Sequence, residues 1–412
     1  MGGTFDLWQQ SFCLAAMAGA AGDKRGDPTT LANELNTILN GFYAESATKD
    51  ALGSWSTVWG PAIFESKPSD RSYPDNSIYV AATTDGSTST YVVGTAGTNP
   101  LSIYDWLQED LDVEHTATWV SAFPSLQPYG VPSDVHGVPF VSAATALGIN
   151  DLLGLVPIDG LPGAGQSLLT FLQSLPTSTT EQATLIFCGH SLAGALSPTL
   201  ALALFNPSGG KLDLSSWRHV YVYPTAGPTP GNEALGAFLA SVFPPVAARE
   251  PHLHPYQVWN QTVWNTCDVV PHAWKISMLK EVLTLYPTSW QKAPPSLELA
   301  VKLAELRSIK GAAYRPMKGV RHAGPYEPVA NQPLEGQFHG TTPVSDPESF
   351  IAQAAYQHTT AYDVLLDVTK LLPMTRNQPA YFPIVRALLT ASAGGVAPSS
   401  GAEQAPEVEP GS

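Results

Sequence analysis

Strands alternating with helices predict an α/β fold with a mainly parallel central sheet flanked by helices. Three observations carry this prediction. The first is an apolar, β-branched run, Thr184-Leu-Ile-Phe-Cys188, which enters a Gly189-His-Ser-Leu-Ala-Gly194 turn and leaves as a small-residue helix. The second is a set of further strand-like runs, at residues 77–82, 90–93, 220–223 and 257–264, with helical patterns between and after them. The third is size: 412 residues, 44% hydrophobic and only 13% charged, can bury a full core.

Taken in order, the first pattern is an apolar stretch at residues 12–21 that suits an amphipathic helix. Residues 77–82 and 90–93 flank Thr84-Asp-Gly-Ser87 and read as a hairpin. Residues 104–111 look helical, while residues 151–165 are apolar but broken by Pro157, Pro162 and four glycines. Residues 220–223 form a strand that ends in Thr225-Ala-Gly-Pro228, and residues 257–264 form another that ends before Asp268. Residues 275–286 and 297–309 look like two amphipathic helices, and residues 350–372 carry a helical pattern that includes His358. The tail at 392–412, rich in Ala, Gly, Ser, Pro and Glu, is expected to be disordered. The chain thus reads as one domain over 1–391, with its core at about 77–372 and an insertion at about 275–328, followed by that tail.

Residues 184–205 are apolar enough to suit a buried helix or a membrane span. Gly189, His190, Ser191, Gly194 and Pro198 argue against a span, as does the change from β-branched to small residues at the turn. Strand, tight turn and helix together form a nucleophile elbow, the device by which an α/β-hydrolase lifts a serine above its sheet. Backbone N–H groups at the start of the helix then face the reacting carbonyl. Ala193 stands where a glycine is usual and is expected to crowd the turn, and Pro198 should remove one helical hydrogen bond.

The net charge of −15 argues against nucleic acid and against electrostatic docking on anionic membranes. Neutral or cationic small substrates stay open. Three cysteines cannot all pair, so a disulfide framework is not expected, and Cys188 and Cys267 read as buried thiols near the site. No Lys or Arg precedes the apolar stretch at 12–21, and Asp6 does, so it makes a poor secretory signal. A cytoplasmic protein is the default expectation, with secretion left open. No cofactor or metal is expected: His252-Leu-His254 is the one tight histidine pair, and it lacks an acidic or cysteine ligand set nearby.

A serine hydroxyl is a weak nucleophile and needs a histidine base oriented by a carboxylate. Asp268 follows a strand, which places it at the same sheet edge as Ser191, although a turn aspartate capping the next helix is the plain alternative. Downstream histidines are His272, His322, His339 and His358. His272 is too near Asp268 in sequence to reach its carboxylate easily. His322 and His339 lie in Gly- and Pro-rich loops, and His358 lies in a helical segment. Pattern alone leaves His358 and His339 level.

Five blocks in order resemble the class 3 lipase family, the fungal-lipase-like α/β-hydrolases. Gly189-His-Ser-Leu-Ala-Gly-Ala-Leu196 resembles the family elbow, and Thr225-Ala-Gly-Pro-Thr-Pro-Gly-Asn232 resembles the stretch after its next strand. Asp268-Val-Val-Pro271 resembles the segment around the family's acid, and Val135-His-Gly137 a further short block. Tyr91-Val-Val-Gly-Thr-Ala-Gly-Thr98, followed by Tyr104-Asp-Trp, resembles the family's oxyanion segment. The resemblance implies Ser191, Asp268 and His358 as the triad, since the family histidine lies in a His-x-x-x-Tyr-like context that matches His358 to Tyr362. It also implies an oxyanion hole from Leu192 and Thr98, and a packing role for His136. The family's arginine in that segment is Ala96 here.

The expected activity is hydrolysis of lipid or fatty-acyl esters through an acyl-enzyme, on a small-molecule or lipid ester substrate. A transient contact with a lipid interface fits such a substrate, and no integral membrane span is expected. A short-chain esterase, a polyhydroxyalkanoate depolymerase and a catalytically silent binding protein on the same fold are the alternatives.

Overall fold

A computed structural model describes residues 3–66, 68–69, 71–97, 116–119, 139–207, 210–247, 254–273, 275–313 and 331–371. Thr98, the helical pattern at 104–111, His136, His252, His322 and the tail at 392–412 lie outside the described residues.

The chain opens with α1 (Leu7–Ala18), α2 (Pro28–Ala44) and α3 (Ser46–Leu52). Asp6 starts α1 through a capping box with Gln9, and Asp27 caps α2 with proline following at its first position. The hairpin expected at 77–93 is present as β2 (Asn76–Asp85) and β3 (Thr88–Thr95), and β1 (Ser56–Phe64) extends it antiparallel. Two short strands, β4 (Thr116–Thr118) and β5 (Phe140–Ser142), pair with each other and lead into α4 (Ala143–Gly154). The broken apolar stretch ends that helix and continues as a loop with Gly160, Gly163 and Gly165 at positive φ. Then come α5 (Leu168–Ser174), α6 (Thr177–Thr180), β6 (Thr184–His190) and α7 (Leu192–Phe205).

Beyond the elbow lie β7 (His219–Thr225), α8 (Glu233–Val242), and the two-residue strands β8 (Val246–Ala247) and β9 (Val258–Trp259). β10 (Thr262–Asn265) follows. The single strand expected at 257–264 is thus two strands, divided at Asn260, whose φ is 62°. The insertion holds α9 (Ile276–Leu279), a short 3₁₀ turn at Val282–Thr284 and α10 (Pro295–Ala313), so the first of its two expected helices is broken. β11 (Asn331–Leu334), α11 (Pro347–His358) and α12 (Thr360–Leu365) complete the described chain.

The central sheet runs in the order β1-β2-β3-β6-β7-β10-β11. Its hairpin side is antiparallel, and every pairing from β3 to β11 is parallel. One large core joins α4, α5, α7 and α8 to one face of the sheet. A second joins α1, α2 and α12 to the other. The sheet therefore begins at Ser56, ahead of the expected core at 77, and α1 lies against β3 and β6. Among the described residues no helix is long and apolar enough to cross a membrane.

Candidate active site

β6 delivers Ser191 into a turn that only a fixed environment sustains. Its φ of 63° and ψ of −130° place a non-glycine residue in the left-handed half of backbone space, which costs about 1–3 kcal/mol. Two bonds hold it there: Ser191 N–H donates to Thr225 O at 3.1 Å, and Gly194 N–H donates to Ser191 O at 2.8 Å. Gly189 is required by contact. A Cβ on it would come within 2.5 Å of Ala193 Cβ. The Ala193 methyl thus occupies space left by Gly189, and the expected crowding does not arise.

α7 is buried at all fourteen positions and continues past Pro198 as one helix. Proline has no N–H, so the hydrogen bond that position 198 would give to the Gly194 carbonyl is missing, as expected. Leu192 begins this helix, and its N–H has no intrahelical acceptor. The chain leaving β3 brings Gly97 to the same point. A Cβ there would lie 3.1 Å from Ala193 N and 3.2 Å from Leu192 N.

Asp268 and His358 reach Ser191 from two other elements. A tight turn after β10, closed by Asp268 N–H donating to Asn265 O at 2.9 Å, presents the aspartate with no exposed surface. His358 is the last residue of α11, a helix started by an Asp346–Ser349 capping box. Its Nδ1 lies 2.8 Å from Asp268 Oδ2, and its Nε2 lies 2.8 Å from Ser191 Oγ. A carboxylate accepts, so Nδ1 carries the proton in the neutral ring and Nε2 accepts from the serine hydroxyl.

A buried carboxylate is costly unless its lone pairs are used. Asp268 Oδ1 accepts from Val270 N–H at 3.0 Å, and Oδ2 accepts from Tyr362 O–H at 2.9 Å as well as from His358. Burial, followed by the Asp268 charge, holds the Tyr362 phenol far above its usual range, so it stays protonated and donates.

Asn265 ties the acid turn to the histidine helix on both sides of His358. Its N–H donates to Tyr362 Oη at 2.9 Å, and its Nδ2 donates to Gln357 O at 2.9 Å and Gln357 Oε1 at 2.7 Å. Gln357 in turn donates to Gln337 O at 2.6 Å. Tyr286 O–H donates to Cys267 O, and His272 Nδ1 donates to the main-chain oxygen of Asp268 at 2.7 Å, away from the carboxylate. Burial depresses the His272 pKa. No motif in the sequence marks Asn265, Gln357 or His272 as a brace of the site. The available signal was their position, three before Asp268, one before His358 and four after Asp268.

His339 lies elsewhere, exposed and stacked on Tyr356 with ring centroids 3.9 Å apart. All three cysteines are free thiols. Cys13 and Cys188 are buried, and Cys267 is half-buried rather than fully enclosed.

Neither a protein-family model nor a curated protein matches the chain. Among solved structures, M37 lipase is 22% identical and superposes over 94% of this chain and 99% of its own, with a TM-score of 0.67. The Rhizomucor miehei lipase–propeptide complex is 15% identical over 64% of this chain and 61% of its own, with a TM-score of 0.36. Lipase II from Rhizopus niveus is 17% identical over 65% and 76%, with a TM-score of 0.35. The near-complete superposition on M37 lipase, together with the parallel sheet and its flanking helices, shows an α/β-hydrolase fold like that of M37 lipase.

Proposed function

We propose that the chain is a serine carboxylic-ester hydrolase of lipase type, with Ser191, His358 and Asp268 as its triad. The observation that carries this reading is the unbroken chain of hydrogen bonds from Ser191 Oγ to His358 to Asp268, with 2.8 Å at each link. His358 Nε2 takes the serine proton as Oγ attacks the ester carbonyl, and Asp268 stabilises the imidazolium that forms. The donors proposed for the negative oxygen of the tetrahedral intermediate are the Leu192 N–H and, by the resemblance above, Thr98, each such donor contributing about 3 kcal/mol. Collapse breaks the ester C–O bond. The alcohol leaves with the proton from His358, and the acyl group stays on Ser191. Water, deprotonated by His358, then attacks the acyl-enzyme and releases the acid.

The whole-chain likeness to a protein described as a lipase favours a fatty-acyl ester over other esters. The test is turnover of p-nitrophenyl esters from short to long acyl chains by wild type, Ser191→Ala, His358→Ala and His339→Ala. The first two substitutions should lower kcat by about 10⁴-fold or more, and His339→Ala should leave it near wild type. A preference confined to short chains would redirect the reading to an esterase, and release of hydroxy acids from a polyhydroxyalkanoate to a depolymerase. Absence of a fluorophosphonate adduct on Ser191 of the folded protein would leave a silent binding protein.

A further inference from the structure

His190, the residue before the proposed nucleophile, is bonded at both ring nitrogens. Nε2 lies 2.8 Å from the main-chain oxygen of His358, and Nδ1 lies 2.9 Å from Thr225 Oγ1. A carbonyl oxygen only accepts, so Nε2 carries a proton. In the neutral ring Nδ1 is then an acceptor, and the Thr225 hydroxyl gives its one proton to it at 2.9 Å in preference to Gly189 O, which lies at 3.4 Å. This selects one tautomer of His190.

The consecutive residues His190 and Ser191 therefore hold His358 at two points. Ser191 Oγ meets its side chain, and His190 meets its main chain. His358 is the last residue of α11, where carbonyls have no intrahelical donor, so its oxygen is open to a donor from outside the helix. Rings close the arrangement. The His190 centroid is 5.0 Å from that of His358, 4.9 Å from Tyr362 in an edge contact, and 5.8 Å from Phe12 in another.

We infer that His190 is a positioning residue that fixes the distance between Ser191 and His358, with Thr225 holding it in the tautomer that can do so. A shift of the elbow carries the base with it, because both links start from adjacent residues of one rigid turn. This inference rests on the hydrolase reading above. It differs from a plain capping role, which would support the end of α11 without affecting proton transfer.

The test compares His190→Phe, which keeps a ring and removes both hydrogen bonds, with Thr225→Val and His190→Gln. Readouts are kcat and KM on a p-nitrophenyl ester, the rate of fluorophosphonate labelling of Ser191, the low-field proton resonance of His358 Nδ1–H, and thermal unfolding. His190→Phe should lower kcat and the labelling rate by about 10- to 100-fold with KM unchanged, the size of effect expected from a misplaced base. The resonance should shift or broaden. His190→Gln, whose amide can still donate to the carbonyl, should recover part of the loss, and Thr225→Val should fall between.

A folded His190→Phe protein with wild-type kcat and an unmoved resonance overturns the inference, even if it melts earlier. Where His190→Phe does not fold, Thr225→Val decides by the same two readouts. A wild-type protein that takes no adduct overturns the hydrolase reading and this inference together. A labelled wild type with equally reactive variants overturns this inference alone.

Discussion

A glycine at position 191 would adopt φ 63° without strain, yet the chain keeps a serine there, so the strained conformation is sustained by the bonds to Thr225 and Gly194. The same turn limits its neighbours. Gly97 lies where a methyl group would meet Leu192 N, Ala193 N and His190 O at 3.1–3.2 Å, all of them backbone atoms that cannot swing aside. Gly97→Ala should therefore push the segment after β3 a few tenths of an ångström from the elbow while leaving the fold intact. We expect kcat to fall by about 10- to 100-fold with little change in KM, because displacement of the proposed oxyanion donors would be felt mainly in the transition state. Steady-state kinetics beside a thermal melt would check this, and a folded variant with wild-type kcat would count against it. The sequence exposed Ser191 and the close-packed glycines because their pattern is local. It misjudged Ala193 because the space for that methyl is set by the missing side chain of Gly189, a contact across the turn.

At the scale of elements, the misread boundaries share a cause: side chains bonded to backbone in ways that periodicity does not register. The helical pattern at 350–372 divides at Thr359, which has φ −125° and ψ −84° and whose hydroxyl donates back to Ala355 O at 2.7 Å. That break ends α11 on His358 and lets α12 turn Tyr362 toward Asp268. The strand expected at 257–264 divides at Asn260, whose side chain accepts from Val222 N–H and donates to Pro244 O. Asparagine tolerates this left-handed geometry where most residues do not. The partners of Asp268 from these elements make a measurable joint. Tyr362→Phe removes the hydroxyl that donates to Asp268 Oδ2 and accepts from Asn265 N–H, both in a fully buried site. Leaving the Asn265 N–H unsatisfied should cost about 1–3 kcal/mol, read as a lower denaturant midpoint, and kcat should fall more than KM changes. An unchanged midpoint would mean that water or a shift of the chain replaces the hydroxyl.

Across the whole molecule, the family-like blocks run from the hairpin to the histidine helix, and the part of the fold that lies ahead of them is the first 76 residues. That segment was legible only as one apolar helix and no more, because burial against a sheet assembled later in the chain has no local signature. In the structure α1 is a core element. Phe12, Cys13, Leu14 and Met17 are each at most 1% exposed. Tyr79 O–H donates to Leu14 O at 2.7 Å, Ser77 O–H donates to Ala18 O, and the Cys188 thiol donates to Ser11 O at 3.2 Å. Trp8 Nε1 reaches Val258 O, and Gln9 Nε2 reaches Leu366 O, so the helix joins β2, β6, β9 and the end of α12. Burying Phe12, Leu14 and Met17 contributes about 1.5–3 kcal/mol each, a sum comparable with the whole stability of about 5–15 kcal/mol of a typical domain. Deleting residues 1–21 should therefore abolish cooperative unfolding and leave the protein aggregated, with apolar faces of β3 and β6 uncovered. The milder Phe12→Ala should cost about 3–5 kcal/mol and also lower activity, because the Phe12 ring packs perpendicular to that of His190 at a centroid distance of 5.8 Å. Calorimetry of the truncated chain decides the first point: a single sharp transition near the wild-type temperature would mean that α1 is dispensable. A Phe12→Ala protein that is destabilised but keeps full kcat would separate the helix's role in the core from any role at the site.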